Sequence, residues 1–239
     1  MESNDQVEIS GFAEAHRIRS YVLRAGRMSI AQRRSYETLG ERFILPYSKA
    51  PLRSATAFGN DNCVTVEIGF GMGIATAMIA ETNPDKNYLG IEVHTPGIGR
   101  LLWEIEQRGL SNIRIVEHDA VEVLDDMIAD SSVAAFHIFF PDPWPKKRHH
   151  KRRLVKRPFT DLLAAKLTVG GYLYMATDWE EYGDWALAEL SSTSGLRNAY
   201  VGFAPHQEWR PRTKFEKKGE AKDHAVRELY FIREARGES

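Results

Sequence analysis

Four carboxylates occupy positions in which they could act together. Glu67 opens Glu67-Ile68-Gly69-Phe70-Gly71-Met72-Gly73, Glu92 and Asp119 each stand at or just past the end of a short apolar run, and Asp142 sits within Phe140-Pro141-Asp142-Pro143-Trp144-Pro145. Alternate glycines let backbone come close to a ligand, because glycine has no Cβ and tolerates positive φ. Acids around such a loop favour a ligand that carries positive charge and hydroxyl donors. They work against phosphates, which call for cations or N–H groups. A dinucleotide fingerprint, G-x-G-x-x-G, would also need its third glycine at position 74, which is Ile74. The prolines around Asp142 fix φ and restrict the residues before them, so this carboxylate rides on a stiff loop. A fixed carboxylate can orient a base and stabilise positive charge growing on it; capping a following helix is the plainer use.

Directly after that loop the chemistry changes sign. From 146 to 157, eight of twelve residues are Lys or Arg and two more are His149 and His150. Lys146, Arg148, His149, His150, Lys151, Arg152 and Arg153 leave the loop within a few residues of Asp142, where a polyanion such as RNA could lie along them. The two histidines have no cysteine or acid at metal-ligand spacing, so they are grouped with the run and no metal is expected. Trp144 has two uses open to it, stacking on an unpaired base or packing beneath the loop. A second basic stretch, 15–53, carries nine bases against two acids, whereas 61–145 carries fourteen acids against four bases. The formal net charge of −1 hides this segregation.

The elements that must position these groups read as repeated βα units. Short β-branched or aromatic runs at 63–68, 88–93, 113–116, 134–140, 172–176 and 228–232 alternate with helical patterns at 74–82, 97–108, 120–129, 159–166 and 180–190. The run 134–140 is almost continuously apolar, as for a central strand covered on both faces. Gly170 and Gly171 mark the turn into the fifth strand. Strand ends of an open α/β sheet gather at one edge, so Glu67, Glu92 and Asp119 are expected at its carboxyl side. The first 60 residues show no such pattern, and the chain divides into a basic arm or helical extension, 1–59, and an α/β domain, 60–239. With 239 residues, 43% of them hydrophobic, one large core is affordable. The lone Cys63 excludes an intramolecular disulfide and is expected to be a small buried residue. No apolar run reaches membrane-spanning length and the first residues lack a secretory pattern. A soluble cytoplasmic protein is expected, without a membrane partner, as a monomer or alternatively a homodimer.

Glu67-x-Gly69-x-Gly71-x-Gly73 resembles the first motif of the class I methyltransferases. S-adenosylmethionine carries groups to match the acids: an ammonium and a sulfonium, a ribose diol and an adenine amino group. The resemblance puts Glu67 near the methionine moiety, Glu92 near the ribose hydroxyls and Asp119 near the adenine. With Pro141-Asp142-Pro143-Trp144-Pro145-Lys146, Thr177-Asp178 and Thr213-Lys214-Phe215-Glu216 following in order, the chain from about residue 17 onward is similar to the bacterial tRNA (guanine-N7)-methyltransferases. Its stretch Gly26-Arg27-Met28-Ser29-Ile30-Ala31-Gln32 takes part in the similarity. The resemblance implies a Rossmann-like, mostly parallel seven-stranded sheet with helices on both faces and an N-terminal basic arm.

It further implies cofactor contact at Glu67, Gly69, Gly71, Gly73, Glu92, Asp119 and Asp142. Substrate contact would fall at Lys146, Asp178, Thr213, Lys214, Phe215 and Glu216, with RNA along residues 148–153 and Asp142 as the catalytic residue. The implied target is N7 of guanine 46 in the tRNA variable loop. That nitrogen has a lone pair and no proton, so it needs positioning and charge stabilisation rather than a general base. Asp178 and Glu216 could accept from the N1–H and amino group of guanine, a donor pattern adenine lacks. The alternatives are a methyltransferase with another RNA or amine substrate, an RNA-binding protein without activity and, on the glycine spacing a weaker fit, a nicotinamide dehydrogenase.

Overall fold

The computed structural model describes residues 18–22, 26–212, 216 and 225–235. The substrate positions Thr213, Lys214 and Phe215 lie outside these residues. Two helices come first, α1 (Ile30–Phe43) and α2 (Ser54–Phe58). The repeating units follow: β1 (Val64–Ile68), α3 (Ile74–Thr82), β2 (Asn87–Glu92), α4 (Thr95–Arg108), β3 (Ile113–Glu117), α5 (Ala120–Met127) and β4 (Val133–Phe139). After the 3-10 helix Lys147–Arg152 come α6 (Phe159–Lys166), β5 (Leu167–Thr177), α7 (Glu180–Ser191), β6 (Leu196–Asn198) and β7 (Arg227–Arg233).

The seven strands form one sheet in the order β3-β2-β1-β4-β5-β7-β6. β1 to β5 run parallel, and β7 lies antiparallel between β5 and β6. The expected doubly covered, mostly parallel sheet is therefore present. Chain order reverses direction across β1 and β4, and it is at such a switch point that an open sheet leaves a crevice beyond its carboxyl ends. One apolar cluster, on the face of α3 and α4, joins Phe43, Ile79, Leu101, Leu102 and Ile105 to Ile113 and Ile115. The other joins Leu124, Leu163, Tyr182 and Leu190, from α5, α6 and α7, to Val66, Phe136 and Leu173. Each fully buried leucine or isoleucine here contributes about 1.5–3 kcal/mol by leaving water.

Several boundaries and one burial expectation need correction. Cys63 is exposed, because pairing of β1 with β2 begins at Val64 opposite Asn87 and Cys63 precedes it. Gly170 and Gly171 lie inside β5 rather than before it; the β4–β5 register shifts between Val133 and Ala135, so the extra residues bulge from the ladder. β6 is three residues long, too short to leave an alternating pattern. Residues 30–58 include the helices α1 and α2. α1 opens on a capping box, with Ser29 Oγ accepting from the Gln32 N–H at 3.2 Å and Gln32 Oε1 from the Ser29 N–H at 2.7 Å. It packs along α4, and beyond it Ile44 pairs in parallel with Ile115, covering part of the β3 edge.

Candidate active site and RNA-facing surface

A cavity of about 230 Å³ opens at the carboxyl ends of β1 to β4. Ile68 and Gly69 line it from β1, Ile91 to Val93 from β2, His118 and Ala120 after β3, and Phe140 to Asp142 after β4; Ser20 and Tyr21 of the N-terminal segment complete the wall. Gly69, Gly71 and Gly73 take φ of 71°, 56° and 66°. A Cβ on Gly69 or Gly71 would meet nothing within 4 Å, so free space borders the loop. From behind, α4 holds it: a Cβ on Gly97 would come within 2.0 Å of the Gly71 carbonyl oxygen.

The acids are fixed by the same backbone. Glu92 accepts from the Gly71 N–H at 2.8 Å through one oxygen, and from the Val93 and His94 N–H groups at 2.7 and 3.0 Å through the other. Asp119 caps α5 by accepting from the Val121 N–H at 2.9 Å. Tyr21 faces Asp119; its phenol is pushed up by burial and then by that carboxylate. Glu67 is buried, and its Oε2 has no hydrogen-bond partner among the described residues. Burial pushes its carboxyl up to about 8, with the Thr76 hydroxyl pulling the other way and Glu92 adding to the rise. An unpaired buried acceptor is costly unless a ligand supplies the donor.

Asp142 is exposed at the cavity rim, between Phe140 at φ 50° and Trp144 at φ 47°. The Trp144 indole N–H donates to the Ser20 carbonyl at 3.0 Å, its ring meets His149 edge-on, and the Arg152 guanidinium lies 5.1 Å from its centre. Arg152 also donates to the Arg19 carbonyl at 3.4 Å. Lys146, Lys147, Arg148 and Lys151 are exposed. Beyond β5, the exposed Asp178 borders a second, shallower depression of about 500 Å³ with Trp179, Glu181, Asp184 and Arg227. Glu216 is buried, with its two oxygens held by the Arg210 guanidinium at 2.8 and 2.5 Å.

A family described as "Putative methyltransferase" matches residues 61–229. The chain is 53% identical over 220 residues to a tRNA (guanine-N(7)-)-methyltransferase of Ralstonia nicotianae, covering 92% of this chain and 88% of that one. It is also 53% identical to the protein of the same name in Ralstonia pickettii, over 93% and 88% of the two chains. The chain belongs to the tRNA (guanine-N(7)-)-methyltransferase family. Among solved structures, the antibiotic-resistance methyltransferase Kmr superposes with a TM-score of 0.53 at 14% identity, over 80% of this chain and 95% of that one. At that identity the likeness speaks for the shared Rossmann-like methyltransferase fold alone.

With the family in hand, the expected site residues sort by place. Gly69, Glu92 and Asp142 line the cavity, Asp119 stands between two lining residues, and Glu67 precedes the lining Ile68, with Gly71 and Gly73 completing the loop. Lys146 follows the Asp142 loop, whereas Asp178 and Glu216 do not line this cavity. Arg153 requires correction as an RNA contact. Only 1% of it is exposed; its Nε donates to the Pro143 carbonyl at 3.0 Å, Nη2 reaches Glu181 at 3.1 Å, and its guanidinium lies over Tyr182 and Trp185. His150 likewise turns toward Arg153, Glu181 and Trp185. Two turns of 3-10 helix thus divide the run into an outward face and an inward brace. Trp144 is engaged by the N-terminal segment, an arrangement neither of its two expected uses described. Sequence reading missed Ser20, Tyr21 and His118 as cavity residues; His118, next to Asp119, was the one with a usable signal. Among the described residues no cluster of three His, Cys, Asp or Glu is placed to hold a metal ion, and no helix is long and apolar enough to cross a membrane.

Proposed function

We propose that this chain transfers the methyl group of S-adenosylmethionine to N7 of a guanine in the tRNA variable loop, position 46, in the cytoplasm where tRNA is processed. The observation that carries the reading is an exposed carboxylate on a strained proline loop, at the rim of an acid-walled cavity and four residues before an outward row of cations. The relatives' name supports its coarser part, methylation of a tRNA guanine at N7.

The residues present fit the cofactor. Glu67 offers an unpaired buried oxygen suited to an ammonium, the glycine loop leaves room for close approach, and Glu92 is oriented by three backbone N–H groups with one lone-pair site, on Oε2, left for a ribose hydroxyl. Asp119 would take the adenine amino group. When bound, the cofactor supplies an electrophilic methyl on a sulfonium. Asp142 then does two things for the base: it holds the purine in line, and its charge offsets the positive charge that grows on the ring. No side chain has to remove a proton, because N7 carries none. Lys146, Lys147, Arg148, Lys151 and Arg152 hold the RNA backbone, and Asp178 with the segment 213–216 reads the guanine edge.

The test is Asp142→Ala. Affinity for S-adenosylmethionine should stay within a few-fold in calorimetry, while turnover on unmodified tRNA falls by about 100-fold or more, the scale of one lost electrostatic contact in a transition state. Unchanged turnover would remove Asp142 from the reaction. Nucleoside mass spectrometry of the product separates N7-methylguanosine from methylation of another RNA group, and a guanine 46 replacement that still accepts methyl would sink the position.

A further inference from the structure

We propose that Trp144 is a positioning residue: through the Ser20 carbonyl it holds Tyr21 as a wall of the cofactor cavity, so that tRNA and S-adenosylmethionine strengthen each other's binding. The inference rests on the cavity as the cofactor site and on the basic run as the tRNA surface. Ser20 and Tyr21 line the cavity, although residues 18–22 form neither helix nor strand and have no ladder to fix them there. Side chains from the region after β4 do so instead. The Trp144 indole N–H donates to the Ser20 carbonyl at 3.0 Å, and Arg152 donates to the Arg19 carbonyl at 3.4 Å. The Arg152 guanidinium also lies 5.1 Å from the centre of the indole, and that of Arg19 lies 5.8 Å from the centre of the Tyr21 ring. At its other end the Tyr21 hydroxyl donates to Asp119, the acid proposed for the adenine amino group. One short segment thus touches the RNA-facing run on one side and the adenosine end of the cavity on the other.

The consequence follows from stiffness. Trp144 stands between Pro143 and Pro145 at φ 47°, so its indole N–H is a donor in a fixed place, two positions after Asp142. A segment of irregular backbone must give up conformational freedom to serve as a wall. Phosphates held along Lys146 to Arg152 restrain the 3-10 helix and with it both donors, which removes part of that ordering cost from cofactor binding. Such coupling is reciprocal: the factor by which tRNA raises cofactor affinity is the factor by which cofactor raises tRNA affinity.

The experiment is calorimetry of S-adenosylhomocysteine, the demethylated product, without tRNA and at saturating unmodified tRNA. The ratio of the two dissociation constants is read on the same folded protein, so a defect confined to stability or to RNA affinity leaves it unmoved. Wild type should give a ratio of about ten, within the usual span of coupling between two sites. Trp144→Phe keeps a ring beside Arg152 and removes the N–H, and its ratio should fall to near unity. Tyr21→Ala leaves the loop intact; it should weaken S-adenosylhomocysteine binding without tRNA, bring the ratio to near unity, and decide the matter if Trp144→Phe does not fold. A wild-type protein whose ratio is unity overturns the coupling. A ratio as in wild type in either variant overturns the positioning role, and weakened tRNA binding in such a Trp144→Phe protein assigns the indole to RNA. If wild type binds no S-adenosylhomocysteine under either condition, the cofactor reading and this inference fall together.

Discussion

Phe140 and Trp144 hold φ angles that L side chains seldom adopt, and they flank Asp142 on either side. Such residues cost about 1–3 kcal/mol each and persist where surrounding structure over-determines them. Here Pro141 and Pro143 stiffen the span between them, and the Ser20 carbonyl and Arg152 hold the indole. Glu67 makes a different use of burial. Its folded carboxyl keeps its proton up to about pH 8, whereas an unfolded glutamate releases it near about 4.3. Its contribution to stability is therefore complete below the unfolded value and is lost as pH rises through the folded one. Glu67→Gln cannot ionise, so its melting temperature relative to wild type should climb between pH 5 and pH 8. An ammonium bound beside Glu67 would drive the proton off. Cofactor affinity of the wild type should accordingly strengthen from pH 6 to pH 8 while the Gln variant stays flat, and a flat wild-type profile would refute the pairing. The two kinds of arginine in the basic run give a paired prediction. Arg148→Ala should leave urea stability unchanged and reduce the salt slope of RNA binding by about 0.7–0.9. Arg153→Ala should cost about 2 kcal/mol of stability by stranding the Pro143 carbonyl and removing a packed side chain.

Helix α1 shows how much an element owes to its first turn. The Ser29–Gln32 box satisfies two end donors, and Gln32 Nε2 reaches the Pro96 carbonyl at 3.2 Å at the start of α4. Ser29→Ala should therefore destabilise the protein by about 1 kcal/mol in urea titration, within the usual range for a lost cap. The opening of α4 is more demanding, since Gly97 lies against the Gly71 carbonyl. Gly97→Ala should push the glycine loop out of place and weaken S-adenosylmethionine binding by about tenfold or more, with the fold retained by circular dichroism. An unaltered cofactor affinity would mean that the loop does not depend on this contact. The expected core of βα units matched the elements closely, and α3 and α6 fall on their expected bounds, because strand composition and the residues that bound each helical run are local signals. Elements that depend on distant partners were harder to read. β6 exists through its antiparallel pairing with β7, and the Ile44 bridge through an exposed β3 edge.

At the scale of the molecule, charge is sorted onto surfaces rather than balanced. The exposed Lys146, Lys147, Arg148 and Lys151, with the half-buried Arg152 beside them, offer about five phosphate contacts, so log affinity for tRNA should fall with log salt at a slope of about −3.5 to −4.5. Salt-independent binding would contradict the surface. The glycine loop, the three acids at strand ends and the proline-held Asp142 were legible from sequence, because each sits at a fixed offset from a strand and parallel strands deliver their carboxyl ends to one edge. Which bases face outward was not. Adjacent residues in a tight 3-10 turn point in different directions, and only the packing of α7 beneath them turns Arg153 and His150 inward while Arg148 and Lys151 meet solvent. The cavity wall supplied by Ser20 and Tyr21, and the burial of Glu216 against Arg210, likewise depend on segments that are remote in the chain meeting in space. Local order along the chain fixed the kinds of chemistry on offer; long-range packing decided which side chains are free to perform it.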